Sequence, residues 1–218
     1  MKISRFLLKI LTISLGIAVI FGPNQKVEGA KQATPEEIEN ISKAIPEGIT
    51  PQKKHKVLVF SKAFTYYHSS IAVAKEMARQ MGEKTGLFET DFTNDPKDLS
   101  AENLKNYDAV YLNNSTSIEK GLTTEKMRKE FLEYVKNGGG IVAIHAATDG
   151  GWPGYTEMIG GNFDGHPWGH DGTYCLCNED PNHSVVKGIF DGNRSFKIND
   201  ELYPVSYTHL TLPTSPHV

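Results

Sequence analysis

An α/β fold organised around a mainly parallel sheet is predicted by three features of the sequence. Short unbroken apolar runs, Lys56-Val-Leu-Val-Phe60 and Ile141-Val-Ala-Ile144, lack the alternation of a half-exposed strand and read as strands buried on both faces. Segments with helical spacing of apolar residues lie between such runs, and glycines close them. Strands alternating with helices at this spacing imply right-handed crossovers and a sheet covered on both faces.

The elements follow in order. Thr34 is placed to cap a short helix over Pro35 to Ala44, inside a proline- and charge-bearing stretch, residues 30–54, that reads as a linker or docking arm. After the Lys56 to Phe60 strand and a polar loop, Ser69 to Met81 sets Ile71, Ala74, Ala78 and Met81 on one helical face, with Gly82 and Gly86 as its stop. Phe88 to Thr93 and Tyr107 to Leu112 read as the next strands, separated by a polar loop with a short helix. Thr123 or Thr124 caps a helix carrying Met127, Phe131, Tyr134 and Val135, and Gly138-Gly-Gly140 ends it before the Ile141 to Ile144 strand. Thr173 to Asn178 reads as a further strand. Its Cys175 and Cys177, the only cysteines, are too poorly oriented to bridge each other and are expected to pack together on one strand face.

The ends of the chain read differently. Lys2, Arg5 and Lys9 precede the apolar run Ile10 to Phe21, about 12 residues against the ~20 of a spanning helix, so residues 1–29 are expected to be an export signal. If uncleaved, Phe6 to Phe21 would tether the chain to the inner membrane; the expected location is the periplasm or envelope. From Val205 the run Val-Ser-Tyr-Thr-His-Leu-Thr-Leu-Pro-Thr reads as an in-frame translation of a transposase-based sequencing adapter, so residues 205–218 are expected to be artefact.

Charge bounds the partners. Setting aside the amino-terminal cations Lys2, Arg5, Lys9 and Lys26 and the acid Glu28 leaves 19 basic and 25 acidic side chains, a balance of -6. An acidic body without a basic stripe does not suit nucleic acid, where phosphate neutralisation supplies most of the affinity. A small uncharged ligand suits it better. In open parallel sheets ligands sit beyond the carboxyl ends of the strands, which selects the loops Ser61 to His68, Asn113 to Ser117 and His145 to Asp149. No dinucleotide is expected, because no Gly-x-Gly-x-x-Gly loop follows the first strand.

Five motifs in succession carry a resemblance: Lys56-Val-Leu-Val-Phe60 with His68, Gly138-Gly-Gly-Ile-Val-Ala-Ile-His-Ala-Ala-Thr-Asp149, Gly160-Gly-Asn-Phe-Asp-Gly-His-Pro-Trp168, Asp180-Pro-Asn-His183 and Asp200-Glu-Leu-Tyr203. Together they resemble the ThuA-like family, named for trehalose utilisation, over residues 55–204. The resemblance implies a flavodoxin-like, class I glutamine amidotransferase-like three-layer sandwich. It also implies a further carboxyl-terminal strand and Gly-His element, which have no counterpart here. Amidotransferases place a cysteine nucleophile at a sharp strand-to-helix turn. The corresponding residue here is His145, which cannot replace a thiolate, so glutaminase activity is not expected.

The candidate catalytic residues are then His145, His166 and Glu201, the imidazoles and the carboxylate serving as proton carriers. Of the adjacent pair Asp200 and Glu201, strand alternation allows only one into the site. His68, Asn114, Asp149 and Trp168 are the candidate binding residues; Trp152 and Trp168 offer flat faces to a sugar ring, although tryptophans also serve as core. No cofactor is expected. The alternative is zinc held by Asp164, His166, His170 and His183, the right donor types in a spacing that matches no compact metal motif. The leading expectation is an exported protein that binds or acts on a carbohydrate. The competing readings are a non-catalytic interaction domain of a larger envelope protein and a zinc-dependent hydrolase.

Overall fold

The structure, a computed structural model of the protein, describes residues 32–47, 50, 53–165, 172–183, 193–200, 202 and 205–207, the last three by their backbone. They belong to one compact unit, Gln32–Val218. Its framework is a four-stranded parallel sheet in the order β2-β1-β3-β4, formed by β1 (His55–Phe60), β2 (Phe88–Thr93), β3 (Ala109–Asn113) and β4 (Gly140–Ile144). This is the strand order of flavodoxin-like sheets, whose switch point lies between β1 and β3. The α/β class and parallel sheet are as the apolar runs predict.

Alternation along the strands divides the core in two. Leu58, Phe60, Val110 and Leu112 face one layer, where Leu104 of α3 (Ala101–Leu104), Phe131 of α4 (Glu125–Lys136) and Tyr155 of α5 (Pro153–Ile159) pack against them. Val57, Val59, Tyr111, Phe92 and Ile144 face the other layer, covered by Ala78 and Met77 of α2 (Ile71–Thr85). Burying each large apolar side chain stabilises the fold by about 1.5–3 kcal/mol. Outside α2 lies α1 (Pro35–Ala44), which opens after Thr34 as the sequence predicts, with Glu37 completing a capping box. Gln80 and Lys84 donate to the Ile38 and Ser42 carbonyls and hold α1 against α2.

Three local readings are corrected. Gly82 does not end α2, which runs on to Thr85 and stops at Gly86, left-handed at φ 67°. Gly82 is instead a close-approach residue: a Cβ there would lie 2.7 Å from the Phe88 carbonyl oxygen. The buried residues of α2 are Ile71, Ala78, Gln80, Gly82 and Thr85, and Met81 is exposed. β4 is not buried on both faces; it is the edge of the sheet among the described residues, and Val142 is 47% exposed. Cys175 and Cys177 share a face of β6 (Thr173–Cys177), but that face is exposed rather than packed. β6 pairs antiparallel with β7 (Ser195–Asn199), and β5 (Gly161–Phe163) pairs with β8 (Val205–Tyr207).

At the amino-terminal end of the sheet, Lys56 reaches Asp91 across 2.8 Å and Tyr107 donates to the same carboxylate at 2.9 Å. The Lys56 hydrogen bond, helped by that of Tyr107, holds the Asp91 carboxyl below its ordinary 3.8 against the opposing effect of partial burial. A depressed carboxylate contributes stability above its unfolded-state pKa and loses it as pH falls through the folded value. Asp91→Asn is therefore expected to flatten the acid limb of the stability curve below about pH 4 while leaving its shape above pH 5 unchanged. Urea midpoints across that range measure this, and an unaltered acid limb would exclude the pairing.

Candidate functional site

The three loops that leave the carboxyl ends of β1, β3 and β4 converge. Phe64 N–H donates to the Thr116 carbonyl at 3.1 Å and Ser117 N–H to the Asp149 carbonyl at 2.8 Å, so the β3 loop is clamped between the other two. Gly150 makes this approach possible: its φ is 89°, and a Cβ would lie 2.9 Å from the Ser117 Cα. Glu119, in the single 3-10 turn after the β3 loop, accepts from the Gly151 N–H at 2.7 Å. Nothing local in the sequence marks Glu119 for this role, because the contact is made by chain crossing between loops.

His145 stands immediately after β4, opening a 3-10 turn over His145–Thr148. Its φ of 50° lies in the left-handed region, which costs a non-glycine residue about 1–2 kcal/mol. The turn is held from several sides. Thr148 Oγ1 donates to the His145 carbonyl at 3.0 Å, and the buried Tyr155 hydroxyl donates to the Ala147 carbonyl at 2.6 Å. Burial pushes the Tyr155 hydroxyl pKa far up and keeps it a donor. The sharp strand-to-helix turn expected for His145 is thus present, with the backbone strain that such turns carry.

The ring of His68 meets that of His145 edge-on, with centroids 4.5 Å apart, and Tyr66 meets His68 in the same way at 4.8 Å. Tyr66 is 67% exposed and leaves one side of this aromatic cluster open to solvent. His68 sits just before α2, its carbonyl accepting from Ile71 N–H at 3.1 Å, so the capping contact is made by its backbone. Between the histidine-bearing loops, β3 ends in a buried polar cluster. Asn113 Nδ2 donates to Ser61 Oγ and to the Ile71 carbonyl at 3.1 and 2.9 Å, and its side-chain oxygen Oδ1 accepts from Asn114 Nδ2 at 3.0 Å. Asn114 is one residue past the last rung of the β3–β4 ladder, Asn113 opposite Ile144, and so is His145. Asn114 is also left-handed, at φ 52°, and its buried side-chain oxygen has no partner among the described residues.

Of the predicted site residues, the structure brings together His68, Asn114, His145 and the loop that carries Asp149. Trp152 packs against Tyr155 with centroids 5.2 Å apart and lies under Arg128, so it serves the core beneath the site. His166, Trp168, His170 and Glu201 lie outside the described residues. Asp164 follows β5 and His183 lies in the turn after β6, its N–H donating to the Asp180 carbonyl. Among the described residues no three of His, Cys, Asp and Glu gather within reach of one ion. No described helix is long and apolar enough to cross a membrane.

A four-stranded parallel sheet in this order, with helices against it and a histidine strained at the turn after its edge strand among the described residues, defines a flavodoxin-like α/β scaffold. The family described as ThuA, trehalose utilisation, matches residues 56–215, and the chain belongs to it. A crystal structure of a ThuA-like protein from Bacteroides uniformis is 23% identical and aligns with a TM-score of 0.54 over 74% of this chain. The alignment covers 64% of that protein, so this chain spans less than two thirds of its length, and the likeness shows the fold. No curated protein matches the chain.

Proposed function

We propose that the chain binds a carbohydrate at the carboxyl ends of β1, β3 and β4, where His145 and His68 exchange protons with ligand hydroxyl or carbonyl groups. The observation that carries this reading is the strained His145 with its ring 4.5 Å from that of His68, at the end of the sheet where such folds take ligands. The surrounding polar groups suit hydroxyls. Asn114 offers a buried acceptor, whose burial without a partner costs about 1–3 kcal/mol and is offset when a ligand hydroxyl donates to it. Thr65 and Ser117 hydroxyls stand 3.4 Å apart beside the same loops. The family's description, trehalose utilisation, supports a sugar rather than another hydroxylated compound. The basic and apolar amino-terminal residues support action in the cell envelope.

Calorimetric titration with trehalose, glucose and glucose oxidised at a ring carbon tests the reading. At least one saccharide is expected to bind, and His68→Ala and His145→Ala each to weaken it by about tenfold or more, the worth of a lost hydrogen bond to a buried site. Saccharide binding undiminished in both variants, or no saccharide binding at all, would overturn it.

A further inference from the structure

We propose that Cys175 and Cys177 form a two-thiolate site for a soft monovalent cation, copper(I), on the outer face of the β6–β7 hairpin. The two cysteines are i and i+2 on β6, so their side chains project from the same face. Both are exposed, whereas Tyr174 and Leu176, which alternate with them along β6, are partly buried on the opposite face. Free cysteine is among the most buried residue types, and in this chain both cysteines stand in solvent on one strand face.

The spacing decides what such a pair can hold. Residues two apart on an antiparallel strand have Cβ atoms about 6.8 Å apart. A disulfide requires about 3.5–4.5 Å between those atoms, so the pair cannot close on itself without breaking the ladder. Two thiolates bound to one metal at about 2.3 Å each stand about 4.6 Å apart, which the sulfurs reach by leaning toward each other on an unchanged backbone. Thiolates select soft ions. Zinc sites are built from three or four protein ligands, and among the described residues no group of three His, Cys, Asp or Glu forms around this pair. A two-coordinate soft cation fits that ligand count.

Charge fits as well. On binding, both thiols release their protons to solvent, and two thiolates with one monovalent cation carry a net charge of -1. Lys197 stands directly opposite Cys175 in the β6–β7 register, so its side chain lies on the same exposed face and offsets that charge. Ser195, opposite Cys177, is too small to cover the site.

Titration of the full chain with copper(I), under reductant and without oxygen, against a competing chelator, tests the proposal. One ion per chain is expected. Cys175→Ser and Cys177→Ser are each expected to weaken binding by about 100-fold or more, because the second thiolate binds intramolecularly. Lys197→Met is expected to weaken it several-fold. The serine variants alter exposed positions and are expected to keep the circular dichroism and the urea midpoint of the parent chain. Single variants that each retain one ion at unchanged affinity would show independent thiols and overturn the proposal. So would copper(I) binding that persists in the double variant, or tighter binding of zinc at the same two residues.

Discussion

Phe131→Ala is expected to lose about 3–5 kcal/mol of unfolding free energy, a large share of the 5–15 kcal/mol typical of a domain. Phe131 is fully buried, and its ring is inclined by 28° to that of Tyr155 with centroids 6.5 Å apart. The loss combines the removed transfer free energy with a cavity between α4, α5 and the sheet that rigid neighbours cannot fill. The consequence extends to the site. Tyr155, released on one side, also carries the hydroxyl that fixes the Ala147 carbonyl in the turn after His145. Urea unfolding followed through Trp152, which adjoins Tyr155, reads the stability. Lys129→Ala on the exposed side of α4, where the lysine is 74% exposed, is expected to stay within about 0.5 kcal/mol. A loss below about 1 kcal/mol for Phe131→Ala would mean that α4 does not pack on the sheet as described.

His145→Gly is expected to be more stable than His145→Ala by about 1 kcal/mol or more, although both are expected to weaken saccharide binding alike. Both variants lose the contact with His68, so the comparison isolates the backbone. Glycine adopts φ 50° without steric penalty, whereas alanine retains the clash of its Cβ with the following carbonyl. Backbone strain of this kind persists only where the surrounding structure over-determines it, and it clusters at functional sites. Equal stabilities, or a more stable alanine variant, would remove the strain from the account. The paired unfolding curves decide this without any knowledge of the ligand.

The fold was legible in the sequence where local chemistry determines it. Continuous apolar runs announced β1 and β4, and Thr34 and Thr124 marked their helices because capping is read within four residues. The misreadings came from tertiary context. Gly82 has the composition of a helix stop but is required by Phe88 across the layer, and Val142 belongs to a run that reads as buried until the strand order makes it an edge. The three loops of the site were legible through the strand-end rule, which needs only the order of elements. The pairing of His68 with His145 was not, since it depends on how the β1 and β4 loops lean over β3. Glu119 and Tyr155, which hold the turn in place, carry no local signal for that role.

The central claim, that a carbohydrate binds beside the paired histidines, is tested most directly by nuclear magnetic resonance of the full chain with labelled histidine. Each saccharide is titrated while the His68 and His145 ring signals are followed. The account expects both rings to shift along one saturating curve with the same saccharide, and His145→Gly to move the His68 response to about tenfold or more higher saccharide. Saccharide binding that moves neither ring, or a His68 response that survives intact in His145→Gly, would contradict it.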